Sequence, residues 1–119
     1  MSDLTTKPKA SFAPVYASIY QDLAEIARRH GYALAIHGSL TRDFDLVAIP
    51  WADSISPHDV VVSAMCNEFS LANTNSGTEK PHGRVCYTLV PVYGHSWFLD
   101  LSFTPATGRV ISDGKGETN

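Results

Sequence analysis

Three aspartates and one Gly-Ser turn are the residues of this chain whose types and spacing could handle a phosphate. Asp43 and Asp45 stand two apart in the segment Asp43-Phe-Asp-Leu-Val-Ala-Ile49. In a strand, residues two apart project from the same face, with Cα atoms roughly 6.5–7 Å from each other. Both carboxylates can then reach one hard cation, and magnesium combines carboxylate, water and phosphate oxygens. Directly before this segment, His37-Gly38-Ser39 offers backbone N–H groups and a hydroxyl suited to a phosphate. Asp100 interrupts the apolar run Phe98-Leu-Asp-Leu-Ser-Phe103, where an unpaired charge is expensive. Such an acid sits at an exposed edge, pairs with a base, or binds a metal. Beside the Asp43–Asp45 strand it would complete a cluster of three carboxylates.

A basic loop, Lys80-Pro-His-Gly-Arg84, precedes a further apolar segment. Its charges could neutralise phosphates, with Arg84 making a bidentate contact. The plainer reading is a Pro-Gly turn whose Arg84 pairs with one of the three acids, and Arg42 is open to the same two readings. His37 and His82 could join the acids in a mixed His/Asp metal site, or serve as hydrogen-bonded structural residues. His30, His58 and His95 fall at element ends and are expected to be solvated. Trp51 follows Pro50 and is expected to pack in the core or an interface, with stacking on a base as the alternative. A Walker A loop, a dinucleotide Gly-x-Gly-x-x-Gly and a Gly-x-Ser-x-Gly elbow do not occur.

The elements that must position these groups are legible from periodicity. Val15, Ile19, Leu23, Ile26 and Ala27 recur at helical steps from about Ala13, with Arg28, Arg29 and His30 at the C-terminal end and Gly31 as the stop. Tyr32 to Ile36 reads as a short buried strand. Asp43 to Ile49 alternates: Asp43, Asp45, Val47 and Ile49 share one face, and Phe44, Leu46 and Ala48 the other. The short connection between them predicts an antiparallel hairpin. Ser56-Pro57-His58-Asp59 has the form of an N-cap, a first-turn proline and an acidic first turn, opening a helix that runs to about Leu71. Asn73 to Thr78 reads as a loop. Strands are expected at Arg84–Val92 and Ser96–Phe103, joined by a turn around Tyr93-Gly94-His95. The expected fold class is α+β, in the order α-β-β-α-β-β. Two helices would pack on a single, mostly antiparallel or mixed sheet of about four strands. Residues 1–12 are expected to form a flexible arm, 13–103 one domain, and 104–119 a flexible tail.

Composition sets the outer bounds. The chain has 119 residues, 44% hydrophobic and 18% charged, with a net charge of −3, which fits one globular domain and argues against bulk disorder. No apolar run approaches the roughly 20 residues needed to span a bilayer, so no membrane partner is expected. The mild acidity excludes a broad nucleic-acid-coating surface. Cys66 and Cys86 are too few and too far apart for a disulfide framework and read as two buried thiols. With no signal-peptide pattern at the N-terminus, a cytoplasmic location is expected.

Taken together, Gly38-Ser39, Asp43-x-Asp45 and Asp100 resemble the signature of the nucleotidyltransferase fold of the DNA polymerase beta superfamily, over roughly residues 32 to 103. The resemblance implies that Asp43, Asp45 and Asp100 are catalytic and hold magnesium, with manganese as a substitute. It also implies that the Gly38-Ser39 turn contacts the phosphates of a nucleoside triphosphate; from their own chemistry Arg42 and Arg84 are expected to bind those phosphates too, with His37, Lys80 and His82 as further candidates. Family members place a helical turn and a longer loop before the first aspartate; here only Leu40-Thr41-Arg42 intervene. The segments His37–Trp51, Lys80–Arg84 and Leu99–Ser102 are also similar to small phage and prophage proteins, which points to a bacterial host and names no activity or acceptor. Two other functions stay open from sequence. One is a non-enzymatic regulatory or interaction module, needing no cofactor, in which the acids form an ion network with Arg42 and Arg84. The other is a metal-dependent hydrolase using His37 and His82.

Overall fold

The sheet is organised around the hairpin that carries the acids. In this computed structural model, which describes residues 11–93, 97–106 and the backbone of Arg109–Val110, strand β1 (Tyr32–His37) pairs antiparallel with β2 (Asp43–Pro50). On its other side β2 pairs in parallel with β7 (Phe98–Phe103). The chain between them supplies β3 (Ser54–Ile55), helix α2 (His58–Phe69), β4 (Leu71–Asn73), β5 (Thr78–Lys80) and β6 (Arg84–Pro91). Strand β6 pairs antiparallel with β7, and the short β4 and β5 both pair along its outer edge. The result is a mixed six-stranded open sheet, ordered β1-β2-β7-β6-β4 with β5 beside β6. The fold class is α+β, with two helices among the described residues.

The sheet has more strands than the sequence predicts, because β4 and β5 have only three residues each. Segments so short show no period of their own, and their extended form is fixed by pairing with β6. Leu71 therefore lies in a strand and not at the end of α2. The helix stops at Phe69, and Ser70 turns the chain with a left-handed φ of 53°. A further two-residue strand, β8 (Arg109–Val110), pairs in parallel with β3, within the segment expected to be a flexible tail. Residues 1–10 of the expected arm, the 94–96 turn, 107–108 and 111–119 lie outside the described residues. Phe12, at the end of that arm, is tied down: its N–H donates to the Thr41 carbonyl at 3.0 Å.

The first helix, α1 (Ala13–Arg29), lies where periodicity places it, but its buried face is rotated. Tyr16, Leu23, Ile26 and Ala27 are buried, while Val15 is 38% exposed and Ile19 only partly covered. Tyr16 takes the core position because its ring stacks on Phe44, with centroids 4.5 Å apart, while its hydroxyl donates to the Arg42 carbonyl. Gly31 stops the helix at φ +93°, and a Cβ there would lie 2.6 Å from the Ser54 carbonyl oxygen. Only glycine combines that backbone angle with that close approach.

The start of α2 differs from its sequence signature. Ser56 does not cap it; its hydroxyl lies 2.7 Å from His30 Nδ1, its carbonyl accepts from Tyr32 Oη, and Pro57 takes the N-cap place. His30 and His58 are accordingly half-buried rather than solvated. His58 stacks on Phe103 with centroids 4.0 Å apart, and burial lowers the pKa of both imidazoles. The cysteines are half-buried free thiols rather than fully buried ones.

Every core side chain of the sheet points toward the helices. Phe44, Leu46 and Ala48 of β2, and Leu99, Leu101 and Phe103 of β7, are all at most 1% exposed. The register pairs Phe44 with Leu99, Leu46 with Leu101 and Ala48 with Phe103, so the two strands present one continuous apolar surface. Burying a side chain of this size contributes about 1.5–3 kcal/mol. Among the described residues the opposite face carries no helix, and the acids lie there. No described helix is long and apolar enough to cross a membrane.

Candidate metal and phosphate site

Register brings the three aspartates together. Asp45 is the direct partner of Asp100 across the parallel β2–β7 pair, and Asp43 lies one step along the same face. Each offers one carboxylate oxygen, and these oxygens lie within 4.8 Å of one another. All three residues are half-buried. Oxygens on opposite sides of one magnesium ion, each roughly 2.0–2.1 Å from it, are separated by about 4.2 Å. The three oxygens are therefore close enough together to share one such ion. The Thr88 hydroxyl, from β6, donates to Asp100 Oδ1 at 2.8 Å and so orients that carboxylate.

Electrostatics mark Asp45 as the crowded member. Burial raises its pKa, the Asp100 and Asp43 charges raise it further, and His37, opposite it on β1, acts the other way. A carboxyl group so placed is stabilised by any cation that enters. Among the described residues, the only ion pair is Arg28–Glu25 on the outside of α1. Among the described residues neither Arg42 nor Arg84 is ion-paired with the acids.

The link between β1 and β2 is built to hold this site. Gly38 has φ +87°, and a Cβ on it would meet Asp45 Oδ2 at 3.1 Å, so the glycine lets the backbone pass close to the carboxylate. Leu40 adopts a left-handed φ of 66°, which is uncommon for a non-glycine residue. The Ser39 hydroxyl accepts from the Thr41 N–H at 3.3 Å, and the Tyr16 hydroxyl holds the Arg42 carbonyl. The five-residue link Gly38–Arg42 is thus pinned from beneath by the core.

Two shallow concavities, each about 350 Å³, meet at Asp45. The first is lined by Ser39, Thr41, Arg42, Asp43 and Asp45. The second runs across the open face past His37, Asp45 and Asp100 to Lys80 and Arg84, over Val47, Cys86 and Ser102. Of the sequence candidates, Ser39, Arg42, Asp43, Asp45, Asp100, His37, Lys80 and Arg84 thus line one or both concavities. His82 does not; it is exposed, with a left-handed φ of 68° in the turn that follows β5. Trp51 is not packed in the core either: it is 71% exposed beyond the far end of β2. Sequence reasoning passed over Thr88 and Tyr16, whose roles depend on partners 12 and 26 residues away. No local spacing signals such a pairing. No family model, curated protein or solved structure matches the chain.

Proposed function

We propose that the chain is a minimal nucleotidyltransferase of phage or prophage type, acting in the bacterial cytoplasm. It would bind a nucleoside triphosphate together with magnesium, or manganese in its place. The observation that carries this reading is the convergence of Asp43, Asp45 and Asp100 on an open sheet face, with no cation of the described residues paired to them. Three carboxylates so close repel one another, and a divalent ion supplies the missing compensation. Their oxygen-only donor set suits a hard ion. When bound, the metal would supply charge neutralisation on the phosphates and activation of an attacking hydroxyl.

The chain's own residues would do the rest. Asp43, Asp45 and Asp100 hold the cation, and Thr88 fixes the orientation of Asp100 through its 2.8 Å hydrogen bond. Ser39 and Arg42 border the concavity on the Asp43 side and, with the neighbouring Gly38 backbone, would bind the triphosphate there. Pinning by Tyr16 and Thr41 means that this link needs little reorganisation on binding.

Thermal melts and titration calorimetry test the reading. Magnesium should raise the melting midpoint of the wild type and permit binding of a non-hydrolysable ATP analogue, and Asp45→Asn or Asp100→Asn should abolish both effects. An unchanged midpoint in magnesium and manganese, together with no nucleotide binding by wild type, would refute it. Stabilisation by zinc alone would favour the hydrolase.

A further inference from the structure

The second concavity is bipolar. At one end lie the acids; at the other, Lys80 and Arg84 are direct cross-strand partners on β5 and β6. Like charges placed opposite each other in a sheet are destabilising. Among the described residues neither cation forms an ion pair, although Arg84 is half-buried, and its Nε–H donates to the Pro81 carbonyl at 3.4 Å. Two neighbouring cations with no counter-charge among the described residues, lining one cavity, have the chemistry to hold an anion. In the turn between them His82 and Gly83 both have positive φ, and a Cβ on Gly83 would meet Pro105 at 2.9 Å.

The register separates this anion site from the acids. Thr88 stands opposite Asp100 and Cys86 opposite Ser102, so Arg84 is two further steps along the groove. Four residues of strand span roughly 13 Å, part of which the Arg84 side chain recovers. Between the two ends the floor is neutral and small-sided, formed by Val47, Cys86 and Ser102. A triphosphate bound on the Ser39 side of the acids would leave this half of the site free.

We infer that the groove from Asp100 to Arg84 is the acceptor site, and that it takes a small molecule carrying a carboxylate or phosphate at one end and a hydroxyl at the other. Lys80 and Arg84 hold the anion, which directs the hydroxyl toward the acids. This rests on the nucleotidyltransferase reading above and supplies the acceptor class that reading leaves open. In the transfer, the acceptor oxygen forms a bond to the α-phosphorus and loses its proton to solvent on the open face. The bond from that phosphorus to its bridging oxygen breaks, and pyrophosphate leaves with the electron pair. A groove of about 350 Å³ is the size of a small-molecule site rather than a polymer track.

Inorganic phosphate, titrated into the full chain in chelator and followed by amide NMR, tests the anion site. We expect shifts centred on residues 80–86, with Kd of about 1–10 mM. Lys80→Gln with Arg84→Gln should weaken binding at least tenfold without lowering the melting midpoint, since it also removes a repulsion. Arg84→Lys should fall between, and Arg28→Gln should match wild type. With magnesium and the non-hydrolysable ATP analogue present, phosphate should still bind, with its Kd changed less than threefold. Phosphate binding that is absent, or equal in wild type and the double variant, overturns the inference. Mutual exclusion of phosphate and nucleotide also overturns it, because Lys80 and Arg84 would then serve the triphosphate. Phosphate bound at Arg84 with no magnesium-nucleotide binding by wild type would overturn the transferase reading and the acceptor role with it, leaving an anion site alone.

Discussion

The two faces of β2 are made by the same eight residues and meet opposite physical demands. Toward the helices, Phe44, Leu46 and Ala48 are at most 1% exposed and sit in register with equally buried residues of β7. Toward solvent, Asp43 and Asp45 stand half-buried beside Asp100, with no cation among the described residues paired to any of them. One face stabilises the fold; the other stores repulsion. They differ because both helices lie on one side, so only that side removes apolar surface from water. A strand clamped on both edges and packed on one face holds charged groups on the other within tight limits. That is what a metal or phosphate site requires of its scaffold.

Substitutions on the two faces should therefore behave differently. Phe44→Ala removes a fully buried ring stacked on Tyr16 and should cost about 3–5 kcal/mol in urea unfolding. A loss below about 1 kcal/mol would mean that the helix-covered face does not carry the fold. Tyr16→Phe probes the join between the faces, since the hydroxyl under the core holds the Arg42 carbonyl next to Asp43. It should cost about 1 kcal/mol and speed amide exchange from Thr41 to Asp43, sparing β6. Uniform acceleration across the sheet would show instead that Tyr16 acts only through packing.

The smallest effect, and the one of opposite sign, belongs to Asp45. Burial and the charges of Asp100 and Asp43 raise its pKa above 3.8, so the folded chain favours the protonated form. Its contribution to stability is thus fully present below about pH 3.8 and is lost as pH rises through the raised folded value. In chelator, Asp45→Asn should avoid that loss and exceed wild type at pH 7 by on the order of a few tenths of a kcal/mol, a size limited by solvent screening. The difference should vanish toward pH 4 and reverse in magnesium. A variant less stable than wild type at pH 7 in chelator would place the carboxylate among the structural groups and erase the contrast between the faces.

Legibility in the sequence followed the strength of local periodicity. Helix α1 and the β1–β2 hairpin were readable because each repeats its pattern over several residues, and Gly31 marks the stop between them. The rotation of the α1 face toward Tyr16 was not readable, since an apolar moment weighs Val15 and Tyr16 without knowing that Phe44 awaits a ring. Ser56 carried a capping signature, yet its hydroxyl had a partner in His30 that lies 26 residues earlier. The strands β4 and β5 had too few residues to announce themselves.

Sequence by itself determined the α+β class, the alternation that puts Asp43 and Asp45 on one face, and the oddity of a charge at Asp100 in an apolar strand. These are local properties, set by side-chain chemistry and by the two-residue repeat of an extended chain. Tertiary structure alone decided that β7 docks in parallel beside β2 with Asp100 opposite Asp45, and that Lys80 faces Arg84 across a hairpin edge. Register between distant strands is chosen by how their buried faces interlock, here Leu46 against Leu101 and Ala48 against Phe103. The positions of the charges on the open face follow from that apolar fit.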